Sequence, residues 1–370
     1  MPYLGLLLRA VRQGHTVSPL IFRFMIDFEA IIRKAWEGYD PSRAIAKVED
    51  LSVYVSTNRV FKVFFTDEDH IIAKVSSYGK YEYFKEDHRI IHALSNNLLY
   101  PFENLLTKSL LKNNRVYTYR HKKGKADVWV IFYNPTRVMQ RLPARLDEPL
   151  IKSLGRQIGK FHLACSRIRN VLPKSSKTLR TDINALQEQL NTNERRYGSR
   201  MQVDFLKYHC DLFLKNRTKC NAGSFELIPV FIDWNIGNFS VINKHELFSR
   251  WDYDWFRMSS RMMDFYFFSR VVSDAGDRTA FSYVVTTMME DRFLLFLQEY
   301  HKVNPLLADE VRFLREVYRF FILNYVIKEG NHFFSEQYAK RLKQEAMDIY
   351  LPSVDRDFDP EKIIKHLKLK

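Results

Sequence analysis

Between Leu51 and Ser76 apolar and polar positions alternate with a period of two, in three runs: LSVYVS at 51–56, Arg59 to Phe65, and His70 to Ser76. The alternation predicts three strands, joined by turns at Thr57-Asn58 and at Thr66 to Asp69. On either side the period lengthens. PLIFRFMIDFEAIIRKAW (19–36) carries apolar residues at helical spacing and stops before Gly38, which predicts a helical extension ahead of the strands. Tyr81 to Ser95 gathers Phe84, Ile90, Ile91 and Leu94 on one helical side. Strand spacing returns at Arg115 to Tyr119 and at Val128 to Tyr133, around the basic turn His121 to Lys125.

Asn134-Pro135 ends that pattern, and the stretch to Pro149 reads as a hinge. Beyond it the spacing is helical: Leu150 to Cys165, one or two helices in Asp182 to Arg217, then Asp264 to Ser273, Phe281 to His301, Leu307 to Glu329 and Phe334 to Tyr350. A short strand pair, Pro229 to Trp251, interrupts them. The expected organisation is an N-terminal helical extension (1–47), a mixed strand and helix lobe (48–134), a linker (135–149) and a helical large lobe (150–370). This is a bilobal α+β architecture with a cleft between the lobes, where ligands tend to bind.

Composition sharpens the picture. A chain of 370 residues that is 46% hydrophobic can bury a large core, and only twelve Gly and twelve Pro argue against long low-complexity segments. No apolar run approaches a membrane span, so no transmembrane segment is expected. The opening MPYLGLLLRAVRQGH has no basic residue ahead of its apolar run and does not read as a signal peptide. Three cysteines, Cys165, Cys210 and Cys220, match no metal-ligand spacing and suit a cytoplasmic, reducing setting. The net charge of +15 favours anionic partners: nucleotide phosphates, an acidic substrate, nucleic acid or an acidic membrane face. Its basic residues fall in small scattered clusters that read as solvated surface. No nucleic-acid reading motif accompanies them, so nucleic acid is not the expected partner.

The chemistry gathers in PVFIDWNIGNFSV and SRWDYDWFRMSSRMMDFYFF. Asp233 is followed five residues later by Asn238, and fourteen residues after that by Asp252, each at or just past the end of a short apolar run. Phosphoryl transfer needs such a set: one carboxylate to accept the proton of an attacking hydroxyl, and a second carboxylate with an amide oxygen to hold magnesium against nucleotide phosphates. The order also matches the catalytic loop of protein-kinase-type enzymes. Taken alone, the same residues fit turns and a helix cap equally well.

Several segments together carry a resemblance. STNRVFKVFFTDEDHIIAKVS resembles the opening hairpin and third strand of the aminoglycoside phosphotransferase and choline kinase group, a branch of the protein-kinase-like fold. LGRQIGKFHLAC is similar to that group's helix before the catalytic segment, with His162 near its close. FIDWNIGNFSV resembles the catalytic loop through Asp233, Gly237 and Asn238, and RWDYDW the metal segment through Asp252. Asp264, twelve residues on, stands where the group places an Asp at a helix start. Two positions depart from the pattern: Phe231 stands where the loop His is expected, and Asn235 replaces a frequent second His. No Gly-rich phosphate loop is present.

The resemblance, over about 51–275, implies an ATP-dependent, magnesium-requiring kinase that phosphorylates an alcohol group of a small molecule such as a sugar or amino alcohol. It implies Asp233 as base, Asn238 and Asp252 as magnesium ligands, and Ser56 and Asn58 as donors to the phosphates. Lys74 would pair with the α/β-phosphates, held by Glu86 on the following helix or, as second choice, Glu82. Asp254 is left as a second metal ligand or a cap, Asp264 as a helix-start residue and His162 as a core histidine. Trp129 to Tyr133 would supply backbone contacts to adenine. The basic balance of the chain tilts the expected acceptor towards a neutral or anionic one. The alternative is a scaffold that keeps the fold and loses turnover, for which Phe231 speaks. A protein kinase is disfavoured, since His-Arg-Asp, Asp-Phe-Gly and Ala-Pro-Glu are all missing.

Overall fold

The computed structural model describes residues 26–52, 58–77, 79–124, 126–275 and 282–369. Helix α1 (Phe28–Tyr39) is capped by Asp27, whose side chain accepts from Ala30 N, and β1 (Ile45–Asp50) follows it. Next come β2 (Arg59–Phe65), β3 (His70–Ser76) and helix α2 (Tyr81–Asn97). A small hairpin β4–β5 (Leu111–Lys112, Arg115–Val116), β6 (Thr118–Lys123) and β7 (Ala126–Tyr133) complete the small lobe. Its sheet runs in the order β1-β2-β3-β7-β6, with every pair antiparallel.

The period-two pattern explains why β3 can serve two layers. Ile71, Ala73 and Val75 face outward against α1, where Trp36 lies 4.6 Å from the Phe65 ring and 5.3 Å from that of Phe132. The N-terminal helix is therefore part of the small lobe's own outer core. Lys74 and Ser76 point the other way, towards the cleft. Helix α2 covers the inner face with Phe84, Ile90, Ile91 and Leu94, which join Trp129 and Ile131 in a core continuous with the large lobe.

The large lobe opens with α3 (Glu148–Ile168), then α4 (Leu179–Thr192) and α5 (Arg200–Lys219). Four short strands follow: β8 (Ile228–Val230), β9 (Phe239–Ile242), β10 (Glu246–Arg250) and β11 (Arg257–Ser259). Helix α6 (Phe265–Val272), α7 (Asp291–Val303) and α8 (Ala308–Phe321) lead into a π-helical turn (Ile322–Lys328) and the C-terminal helices. Helix α3 presses closely on α7: a Cβ at Gly155 would sit 2.5 Å from Phe296 O, and one at Gly159 3.0 Å from Val303 Cβ. These two glycines of LGRQIGKFH set how deep His162 reaches. No described helix is long and apolar enough to cross a membrane.

The α+β bilobal expectation holds, and β2 and β3 occupy their predicted spans. Other expectations change. Strand β1 is IAKVED at 45–50 rather than LSVYVS, most of which lies outside the described residues, as does the helical pattern before residue 26. An edge strand that exposes Ala46, Lys47 and Asp50 shows little alternation. Asn113 and Asn114, at φ 52° and 60°, form a hairpin turn between β4 and β5 that the reading passed over. β8 pairs with β11, while β9 pairs with β10, so the expected single strand pair is two. A last helix, Pro360–Leu367, started by Asp359 and Pro360, was also unforeseen.

Candidate active site

Lys74 is 6% exposed, so its ammonium needs partners. Its Nζ lies 2.8 Å from Asp252 Oδ1 and 2.6 Å from Asp254 Oδ1. Burial alone would lower the lysine's pKa; the two carboxylates overcome this and raise it, so the side chain stays charged. Burial and the charge of Asp252 push the Asp254 carboxyl up, while burial of Asp252 is outweighed by Lys74, which holds that carboxyl low. Asn58 closes the group: its Nδ2 donates to Asp254 Oδ2 at 2.6 Å, and its Oδ1 accepts from Ser76 Oγ at 3.1 Å. Ser56 lies outside the described residues.

The loop after β8 carries Asp233, and its backbone is fixed from below. Asp264 Oδ1 accepts from Phe231 N at 2.9 Å and Ile232 N at 2.6 Å, and its Oδ2 faces His162 Nε2 at 3.0 Å. The other ring nitrogen of His162 meets the Tyr300 hydroxyl at 2.8 Å. Asp264 thus holds the loop's amides and not those of the helix it precedes, as a helix-start cap would. Between the held amides and Asp233, Ile232 sits at φ 62°, costly for a β-branched residue, and Asp233 N donates back to Phe231 O at 2.7 Å. That tight turn is kept because Asp264 over-determines it. Asp233 Oδ1 accepts from Asn235 Nδ2 at 2.5 Å and from Asn235 N at 3.3 Å. Burial and then the charge of Asp252, partly offset by Arg250, push the Asp233 carboxyl up to about 6. Asn238 donates through Nδ2 to Asp233 O at 3.3 Å, which turns its amide oxygen the other way.

Arg250, at the end of β10, is the functional residue the sequence reading missed. Its guanidinium is 0% exposed and donates to Trp251 O at 2.8 Å, Asp252 O at 3.3 Å and Asp233 O at 3.2 Å. It stacks on Phe231 and Trp234, at 4.4 and 4.6 Å from their ring centroids. One buried cation therefore ties the Asp233 loop to the Asp252 loop, resting on the aromatic ring that replaces the expected histidine. The signal was a charged residue inside the aromatic run FSRWDYDW, with Asp252 itself at φ 66°.

Glu86 does not hold Lys74. Its Oε1 accepts from Ser175 Oγ at 2.8 Å and Ser176 N at 2.7 Å, and the second choice, Glu82, pairs with Lys85 at 2.7 Å. Asp87 pairs with Lys177 at 2.6 Å. These bonds strap α2 to the segment ahead of α4. Beside them His88 bonds Phe84 O at 2.8 Å and the Tyr133 hydroxyl at 2.6 Å, and burial pushes its pKa down to about 3, so the ring is neutral. The backbone of Trp129 to Tyr133, expected to meet adenine, is spent within the sheet: 129–131 lie between β3 and β6, while Phe132 and Tyr133 pair with β3 on one side and with 109–110 on the other, where Leu110 N donates to Phe132 O at 2.9 Å; Trp129 is core.

The donor set suits a hard divalent ion: Asp252 and Asn238 present oxygen, and two carboxylates face a single ammonium, an excess of negative charge. Among the described residues no group of three or more His, Cys, Asp or Glu could hold a metal alone. A cavity of about 310 Å³ opens beside Asp254, lined by Asp87, Lys177, Asp182, Arg257, Lys328 and Glu329 among others. A larger groove of about 670 Å³, along Arg141, Arg156 and Lys244, contains none of the candidate catalytic side chains.

The chain has the fold of the kinase-like phosphotransferases. Solved structures similar to it include amicoumacin kinase hAmiN in complex with AMP-PNP, Ca2+ and Ami, at 15% identity and TM-score 0.59, covering 92% of this chain and 98% of that one. A microcompartment-associated aminopropanol kinase is similar at 14% identity and TM-score 0.56, covering 92% and 99%. The ADP-bound aminoglycoside phosphotransferase APH(2'')-Ib follows at 12% identity and TM-score 0.52, covering 88% and 99%. No protein-family profile matches the sequence. No curated protein matches it either.

Proposed function

We propose that the chain is a cytoplasmic, ATP-dependent phosphotransferase that moves the γ-phosphoryl group to a hydroxyl of a small molecule. The observation that carries this reading is the 2.8 Å contact between Lys74 and Asp252, which joins the small-lobe lysine to the metal-position carboxylate beside a rigidly held Asp233. Lys74, with Ser56 and Asn58, would bind nucleotide phosphates. Asn238 and Asp252 would hold magnesium, which supplies charge neutralisation for the transferring group. Asp233 accepts the proton of the acceptor hydroxyl, and a carboxyl pushed up to about 6 is a stronger base than an ordinary Asp while still ionised at neutral pH. Positioning and electrostatics suffice for this chemistry, with no covalent intermediate on the protein.

The acceptor is read as neutral or anionic. The carboxylates lining the cavity beside Asp254 are matched by cations: Asp87 by Lys177, Asp182 by Arg257 at 2.5 Å and Lys328 at 3.3 Å, and Glu329 by Lys328 at 3.3 Å. An ammonium-rich acceptor would find few carboxylates to pair with there. The test is ADP release with a panel of sugars, sugar phosphates and amino alcohols, for the wild type and Asp233→Asn. Turnover on a neutral or anionic hydroxyl compound that falls at least ~1,000-fold in the variant supports the reading. ATP binding with no turnover on any acceptor would favour the scaffold that Phe231 suggests.

A further inference from the structure

A strand lysine that is to hold a phosphate needs a carboxylate that fixes its direction, and helix α2 does not give it one. All three α2 carboxylates are engaged elsewhere: Glu82 on Lys85, Glu86 on Ser175 and Ser176, Asp87 on Lys177. Asp254 is placed differently. One oxygen lies 2.6 Å from Lys74 Nζ, and the other accepts from Asn58, whose own oxygen accepts from Ser76. Ser76 stands two residues from Lys74 on the same strand, so the carboxylate is pinned to the strand that carries the lysine. Asp252 is looser: its side chain is 38% exposed against 18% for Asp254, and it can turn to a cation without breaking that chain of bonds.

We propose that Asp254 is the positioning residue for Lys74, supplying from the large lobe the anchor expected from α2. The proposal deepens the phosphotransferase reading and, for its role in binding ATP, rests on it. It has a mechanical consequence. Lys74, Asn58 and Ser76 belong to the small lobe and Asp254 to the large one, so the lysine is aimed only when the lobes are closed. Movements of α2, whose own carboxylates are strapped to 175–177, leave it aimed.

The experiment is a double-mutant cycle on Lys74→Met, Asp254→Asn and the pair. It is read first by thermal midpoint without ligand and then by ATP affinity across a magnesium titration that runs from limiting to saturating. Asp254→Asn is expected to weaken ATP about 10-fold, and the double variant to lose no more than Lys74→Met alone, because the two act as a unit. Glu86→Gln is the control, with ATP affinity within about two-fold of wild type. Additive losses in both readouts, or a Glu86→Gln effect equal to that of Asp254→Asn, would overturn the proposal. So would recovery of Asp254→Asn by added magnesium, which would make Asp254 a metal ligand. A wild type that binds no ATP contradicts the phosphotransferase reading instead, and the ligand-free cycle still judges whether Asp254 and Lys74 are coupled.

Discussion

The two acidic clusters of the large lobe are built on opposite plans. Around Asp264 every acceptor is used: one oxygen takes two loop amides, the other faces His162, and His162 meets Tyr300, with all three side chains fully buried. Around Lys74 two carboxylates share one ammonium, and Asp252 stays part-open to solvent. A saturated, dry network fixes a backbone and does nothing else. An unbalanced, open one can exchange its lysine for phosphate and its excess charge for a cation. The first cluster bears on the second through Arg250, which donates both to Asp233 O on the loop that Asp264 holds and to Asp252 O.

The comparison breaks most sharply at Asp264. Asp264→Ala strands two buried amides and the ring of His162, and should cost about 3–5 kcal/mol, at about 1–3 kcal/mol for each buried polar group left without its partner. Calorimetry should show that as a midpoint lowered by roughly 4–6 °C. A loss under about 1 kcal/mol would mean that the network is no scaffold.

A smaller and opposite effect is expected at Asp233. Its folded carboxyl titrates near 6, above the ordinary 3.8, so the folded state binds the proton more tightly than the unfolded chain. The stability it contributes is whole below pH ~4 and is lost as pH rises to ~6. Asp233→Asn should therefore raise the ligand-free midpoint relative to wild type, by a margin that grows between those pH values and is constant above them. Over the same range wild-type kcat/KM should fall on the acid side, with an apparent midpoint near 6. A variant less stable than wild type at neutral pH would contradict the penalty that burial and the Asp252 charge place on this carboxylate.

How legible all this was depends on the distance over which each contact acts. β2, β3 and the inward aim of Lys74 follow from a local period of two. The triplet Asp233, Asn238 and Asp252 follows from spacing within one short stretch. Glu86 was misplaced because Glu82 and Glu86, four residues apart, share one face of the helix, and phase alone cannot say which residue on a face meets a strand. The carboxylates that do meet Lys74, Asp252 and Asp254, lie 178 and 180 residues along the chain from it, where no periodicity reaches. Arg250 was hidden for another reason. A strand-end arginine is normally a solvated one, and only the packed rings of Phe231 and Trp234 reveal it as buried.

The central claim is that Lys74 and Asp252 form a nucleotide and metal site. It is tested most directly by thermal unfolding of wild type and Asp252→Ala with ATP alone, magnesium alone and both. The account predicts that ATP with magnesium stabilises the wild type by about 2.7 kcal/mol at one hundred times the dissociation constant, and that Asp252→Ala folds yet loses the magnesium-dependent part. An unmoved wild-type midpoint, or a variant that responds as the wild type does, would contradict it.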